Sequence, residues 1–408
     1  MTQEPERTRR ILAEFRDRFG THAATVVRAP GRVNLLGEHT DYNEGYVLPI
    51  AIDRSVLVAA KPRQDLIVNL YSANYRRAIS FTLGEAGARA GSGGGGDRFK
   101  SYVRGVGECL REQGYALQGM DAVVEGNVPI GAGLSSSAAL EMAVLLAFES
   151  TSALSLPSIE KARIGQRVEN EFIGVQSGIM DQLVSVLAQT GCAVLIDCRT
   201  LAHDLVPIES GTTCIVVCDS GVKRSLANSE YNRRREECQE GIRILSQIVP
   251  GIASLRDIPA VDLDTLLAGL PDLPQRRCRH VVSENERVLE GVVALRRRDL
   301  SRFGELMYQS HFSLRDLYHV SCPELDVLVE AASRVEGVLG SRMTGAGFGG
   351  CTVSLVQAET MGRFSSDMKR IYRESTGRAL RMWVCEPADG AGTVLATGHD
   401  QETGHDRG

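Results

Sequence analysis

From residue 5 to 19 the apolar side chains Ile11, Leu12, Phe15 and Phe19 recur at helical spacing, and Gly20 closes the segment, which predicts an amphipathic helix. Runs rich in β-branched residues at 24–28, 55–61, 66–71 and 120–128 predict strands separated by turn residues. Helical periodicity returns at 99–113, 136–150, 158–172 and 178–189, ahead of a strand at 192–197. A polar, turn-rich stretch at 207–213 precedes the apolar run CIVVCD and a charged helix at 225–248. Helices are then predicted at 275–297, 299–314, 323–336 and 359–375, with strands at 351–356 and 379–385. This order predicts an α+β chain with two domains. The first, 1–208, is of mixed order, and the second, 209–387, has helices on one face of an antiparallel sheet. GSGGGGD at 91–97 reads as a surface loop, and the polar segment 388–408 as a disordered tail.

A chain of 408 residues with 43% apolar and 24% charged side chains is long enough for two or three cores with a cleft between them, and unlike a disordered or fibrous protein. Its net charge of −5 is spread without long runs of one sign, which argues against a nucleic-acid partner. Arg233–Arg235 and Arg296–Arg298 sit among acids and read as solvated helix faces. Ten cysteines without a CxxC pair disfavour zinc and suggest a reducing compartment. The charged N-terminus and the shortness of the longest apolar run, 142–148, argue against a leader or a membrane span. The expectation is a cytoplasmic protein with no obligatory protein partner.

Three constellations carry chemistry. In VVEGNVPIGAGLSSSAALEMAVLLAF a strand, a Gly/Ser loop and an apolar helix follow one another, so Gly131, Gly133 and Ser135–Ser137 fall at a helix N-terminus. Unpaired N–H groups and the positive end of the dipole make such a turn an anion site. A tight turn with a serine cap is an equally good reading of that segment alone. The loop lacks the GK[ST] ending of a Walker A motif, Ser136 stands where a dinucleotide fingerprint wants Gly or Ala, and there is no HRD or DFG of a protein kinase. Downstream, Gly345, Ala346, Gly347, Gly349 and Gly350 precede a β-run. By itself this is a structural bend, but two such turns in separate domains suggest a phosphate-bearing ligand clamped between them. Finally, Arg32, Asn34, Glu38, His39, Asp41, Tyr42 and Asn43 crowd a short Gly-punctuated loop between strands, a mixture suited to a polyol.

The stretch GRVNLLGEHTDYNEGYVLP resembles the galactokinase signature of the GHMP kinase superfamily. PIGAGLSSSAA and MTGAGFGGC resemble the superfamily's other two motifs, and GIMDQ is similar to the segment holding the galactokinase catalytic aspartate, so the likeness covers about residues 9–387. It implies a two-domain GHMP kinase-like fold, with a mixed-sheet N-terminal domain, a ferredoxin-like C-terminal domain, and nucleotide and sugar in the cleft between them. By the match, Arg32 and Asp181 flank the sugar C1 hydroxyl, and Glu38, His39, Thr40, Asp41 and Tyr231 hold the rest of the sugar. Gly131, Ala132, Gly133, Leu134, Ser135, Ser136 and Ser137 wrap the ATP phosphates, Gly345 and Gly347 complete the floor, and Ser137 and Glu169 bind Mg²⁺. Without the match, Asp181 reads as a helix cap and Glu169 as part of a solvated helix face.

The resemblance implies Mg·ATP-dependent phosphorylation of D-galactose at O1, giving α-D-galactose 1-phosphate and ADP. Asp181 acts either as general base or as an orienting group beside Arg32. A kinase for N-acetylgalactosamine or arabinose is the alternative. A non-catalytic galactose sensor is less favoured because Ser137-Ala138, Arg32 and Asp181 are all present, and a dinucleotide oxidoreductase rests on GxG alone. Ser177, where cysteine is common, and Glu44, where a small or amide residue is common, depart from the family pattern.

Overall fold

A computed structural model describes residues 4–85, 97–208, 211–222 and 227–396. The loop expected at 91–97 lies, apart from Asp97, outside the described residues, as does the tail from 397 onward. The first unit is built on β1 (Thr25–Asn34), β3 (Pro49–Pro62), β4 (Ile67–Ser72), β5 (Arg77–Thr82), β6 (Met120–Gly126) and β13 (Gly392–Ala396). Their order is β13-β1-β3-β6-β4-β5, with only the β4–β6 pair parallel. Strand β1 alternates between two cores. Val26 packs with Ile11 and Phe15 of α1 (Glu4–Phe19), while Val27, Ala29 and Val33 face the main core. Behind that face lie α2 (Arg98–Glu112), α3 (Ser136–Thr151), α4 (Ser158–Val168) and α5 (Met180–Leu187). Helix α3 packs against β1, β3, α2, α4 and α5 and is buried almost all round, as its unbroken apolar sequence requires. A small sheet of β2 (Tyr46–Val47), β7 (Cys192–Asp197) and β8 (His203–Pro207) completes this unit.

The second unit holds α6 (Ala227–Ile248), α7 (Leu263–Leu267), α8 (Asp272–Arg296), α9 (Leu300–Ser313), α10 (Pro323–Ser333) and α11 (Met361–Thr376) around one antiparallel sheet. That sheet contains β9 (Thr213–Asp219), β10 (Val338–Thr344), β11 (Cys351–Gln357) and β12 (Arg381–Cys385) in the order β10-β11-β9-β12, the ferredoxin-like arrangement. Among the described residues, no helix is long and apolar enough to cross a membrane.

Four expectations are corrected. The strand expected at 24–28 continues to Asn34, so Arg32 sits on a strand rather than in a loop. A bulge between Pro30 and Arg32 admits the proline, and the β13 pairing stops at Arg28, so this stretch of β1 is a sheet edge. The second sheet is covered on both faces. Val216 and Cys218 meet α10 and α11, whereas Ile215, Val217 and Val353 join a core with Phe303 and Met307 of α9, which is why CIVVCD is continuously apolar. Residues 392–396 pair with β1, and 388–391 are hydrogen-bonded to Ala51 of β3 and to Ser185 and Ala188 at the end of α5. Strands β5, β8 and β10 had no apolar signal strong enough to be read; β10 carries Gly340, Ser341 and Arg342 in buried positions.

Helix α9 meets β10 at main-chain contact. A Cβ added to Gly304 would lie 1.9 Å from the Leu339 carbonyl oxygen, so the elements must part to admit it. Gly304→Ala should cost about 1–3 kcal/mol of stability, seen as a lower urea midpoint. Gly362→Ala on α11, where a Cβ meets nothing within 4 Å, should be neutral or stabilising.

Candidate active site

The chain from β6 to α3 turns through left-handed residues at Gly131 (φ 77°), Gly133 (φ 82°) and Ser135 (φ 55°) before the helix begins at Ser136. The Ser135 side chain does not cap α3; its Oγ donates instead to Asp181 Oδ2. The helix thus presents its N-terminal end, uncapped by that serine, to a cleft of about 650 Å³ lined by both units.

Arg32 is placed beneath this turn by the bulge in β1. Its main-chain N–H donates to the Leu134 carbonyl (3.1 Å), and its Nη1 donates to the Gly133 carbonyl (2.7 Å). Nε and Nη2 grip the Asp181 carboxylate at 2.7 and 2.8 Å, a bidentate pair between residues 149 apart in the chain. Asp181 stands in the first turn of α5 but makes no side-chain cap, so the capping reading gives way to the ion pair. Burial opposes the Arg32 charge, but Asp181, Glu38 and Asp41 outweigh it and hold the guanidinium firmly protonated.

Glu38, His39, Asp41 and Tyr231 line the same cleft. Glu38 Oε1 accepts from the Gly345 N–H (2.8 Å) and Thr344 Oγ1 (3.2 Å), which ties the polar signature to the second glycine-rich turn. His39, held at φ 63°, has Nδ1 2.7 Å from the Tyr42 hydroxyl and Nε2 3.3 Å from the Ala346 carbonyl. Burial, reinforced by His280, keeps its imidazole well below its ordinary value and hence neutral. Asp41 packs on the GIMDQ turn so closely that a Cβ on Gly178 would fall 1.9 Å from Asp41 Oδ2. Burial, with Asp181 and Glu38 as like charges, raises the Asp41 carboxyl to about 7.

Helix α4 widens into a π-type turn at Glu169–Ile173, which places Glu169 beside the serines. Glu169 accepts from Ser137 Oγ (3.1 Å) and from Ser177 Oγ, and burial followed by the charge of Asp181 raises its carboxyl. Ser177, the departure from the family pattern, thus supports Glu169.

Several expected residues do not face the cleft. The Thr40 hydroxyl is shared between the carbonyls of Gly37 (2.8 Å) and Tyr46 (2.6 Å), so it shapes the loop instead of meeting a ligand. Ala132 and Leu134 are buried beneath the phosphate turn, and Gly347 packs on the Val320 carbonyl. Conversely, Arg98, Asp219 and Arg381 line the cleft unforeseen, the last two as an ion pair at 2.5 Å. Buried Glu141, one turn into α3, accepts from Gln182 Nε2 (3.0 Å) and is held protonated by burial and by Glu169. Isolated charges at strand and helix ends leave no pattern in sequence by which these four could have been found.

Two glycine-rich turns from different units, lining one cleft with an Arg–Asp ion pair within this topology, define a small-molecule kinase of the GHMP type. Family models agree: the GHMP kinases N terminal domain matches residues 101–189, the GHMP kinases C terminal matches 292–373, and the galactokinase galactose-binding signature matches 13–62. The chain is 46% identical to a galactokinase of Roseiflexus sp. over 97% of this chain and 99% of that protein, and 46% identical to one from Chloroflexus aggregans over 95% and 98%. It superposes on Lactococcus lactis galactokinase complexed with galactose with a TM-score of 0.88 at 35% identity, covering 93% of this chain and 98% of that one. The chain belongs to the galactokinase family.

Asp41 supplies a test of the cleft's electrostatics. Unfolded, its carboxyl loses the proton near 3.8; folded, it does so near 7. Between these values the native state binds the extra proton, so this group makes stability fall as pH rises through the window. Asp41→Asn in ligand-free protein should flatten that fall and raise the melting temperature at pH values above the window, with the two proteins converging at its acid end. A constant offset at every pH would contradict the assignment.

Proposed function

We propose that this galactokinase-family protein transfers the γ-phosphoryl group of Mg·ATP to O1 of D-galactose, yielding α-D-galactose 1-phosphate and ADP. The observation that carries the reading is the Asp181 carboxylate held by Arg32 and Ser135, directly under the phosphate turn and at the inner end of the polar signature. Arg32, Glu38, His39, Asp41 and Tyr231 line the same cleft as Gly131, Gly133 and Ser135–Ser137, and the Arg32–Asp181–Ser135 contacts join the two sets, so a sugar and a triphosphate placed there meet at Asp181.

Phosphoryl transfer needs alignment and charge neutralisation more than covalent help. Asp181 accepts a hydrogen bond from O1–H, fixes the hydroxyl toward the phosphorus, and takes the proton as the new P–O bond forms. Three donors on the carboxylate hold it in that geometry in advance. Arg32 remains protonated throughout and offsets charge on the transferring group. Glu38 and Asp41 accept from other sugar hydroxyls, while neutral His39 both donates and accepts.

Mg²⁺ fits the donor set. Ser137 and Glu169 offer one hydroxyl and one carboxylate, and Glu169, Glu141 and Asp181 form an acidic neighbourhood in which burial disfavours further charge unless a cation enters. Mg²⁺ retains waters and takes phosphate oxygens, so one hydroxyl and one carboxylate are a sufficient protein contribution. Bound there, Mg²⁺ would neutralise the phosphates.

Asp181→Asn, close in shape, should fold and lose kcat by a factor on the order of 10²–10⁴ in a galactose-dependent ADP-release assay. Near-normal turnover would refute the role. Glu169→Gln and Ser137→Ala should both raise the Mg²⁺ concentration giving half-maximal rate, with little change in the galactose KM.

A further inference from the structure

Arg342 is, among the described residues, the largest side chain with no solvent exposure, and nothing in the scheme above uses it. It lies on β10, in the second unit, yet it reaches into the first. Its Nη1 donates to the Asn34 carbonyl at 3.4 Å, and its Nη2 stands 3.5 Å from Glu38 Oε1. Nε and Nη2 complete no hydrogen bond. A guanidinium so incompletely satisfied is costly, and an apolar side chain of similar volume would fill the space at less cost. Retaining the charge therefore calls for a use.

The use is visible at Glu38. Its hydrogen bonds from the protein, those of Gly345 and Thr344, converge on Oε1, while the residue lines the cleft. Oε2 is the oxygen left for a sugar hydroxyl. Other charges facing Glu38 do not secure its anionic form. Arg32 on β1 is committed to Asp181, and the neighbouring carboxyls of Asp181 and Asp41 work against a further negative charge. Behind Arg342, Glu284 on α8 is occupied by Arg287, Ser310 and the Gly37 N–H. His280, also on α8, is kept neutral by burial, with Nε2 3.1 Å from the Glu38 carbonyl. Burial pushes the Glu38 carboxyl up, and Arg342 is the strongest charge opposing that push.

We propose that Arg342 is a positioning residue for sugar recognition, acting across the domain interface by keeping Glu38 anionic and its free oxygen directed at the substrate. This rests on the reading of Glu38 as a sugar ligand given above.

Steady-state kinetics of Arg342→Met, Arg342→Lys, Glu38→Gln and the Arg342→Met/Glu38→Gln double variant, from about pH 6 to 9, test it. Relative to the wild type at each pH, Arg342→Met should raise the galactose KM about tenfold at neutral pH, leave the ATP KM within about twofold, and recover as pH rises and Glu38 ionises. Arg342→Lys, which keeps the charge, should follow the wild-type profile, in which the titration of Asp41 near 7 is common to every variant. In the Glu38→Gln background Arg342→Met should add no further loss, because there is no carboxylate left to hold. A galactose KM that Arg342→Met leaves unchanged or raises equally at every pH overturns the proposal, as does additional loss in the double variant. Should Arg342→Met fail to fold, the double variant, which removes both charges together, is compared with Glu38→Gln and decides alone. An unchanged galactose KM in Glu38→Gln would instead remove the premise that Glu38 binds sugar, so the two failures are told apart.

Discussion

A guanidinium and a carboxylate joined by two hydrogen bonds beneath a helix N-terminus organise this molecule. The Arg32–Asp181 pair ties β1 to α5, and through Gly133, Leu134 and Ser135 it fixes the turn that opens α3. The Arg32 guanidinium is buried, and the Asp181 carboxylate, partly open to the cleft, is the leading charge that offsets its burial. The serine turn, the polar signature and the GIMDQ segment are thereby held together. One ion pair thus fixes three segments far apart in the chain.

The second constraint is that the sugar loop is shaped from the opposite unit. Asn285 Oδ1 accepts from the Tyr46 N–H (2.9 Å), and Glu284 from that of Gly37 (2.9 Å). Arg256 grips Asp197 at 2.6 and 2.9 Å and stacks on Tyr46, while Arg199 bridges Glu44 and Asp257. Glu44, unusual for the family pattern, thus anchors the loop to a neighbouring segment. Polar contacts of this kind carry direction as well as attraction, so they set where the hydroxyl-binding groups point in a way an apolar interface would not.

Much of this was legible in the chain. The three glycine-punctuated motifs named the cleft, and Arg32, Asp181, Glu38, His39, Asp41 and Tyr231 converge there. What could not be read has two physical causes. One is local competition: Thr40 sits within the signature, yet its hydroxyl is spent on the neighbouring carbonyls of Gly37 and Tyr46. The other is position decided by partners remote in sequence. Strand β10 hid because Gly340, Ser341 and Arg342 interrupt its buried face; Ser341 pairs with Ser354 of β11 (2.9 Å), and Arg342 reaches the Asn34 carbonyl, 308 positions away. Arg381 and Asp219 look like ordinary strand-end charges until the sheet brings them to the cleft wall.

Strand β13 pairs with β1, the strand that bears Arg32, although more than three hundred residues separate them. During synthesis on a ribosome the first unit therefore waits with one flank of its sheet open until the strands of the second unit have been made and residues 392–396 have emerged. Val394 then closes against the cluster holding Phe15. A nascent chain released before that point would expose a bare strand to its neighbours.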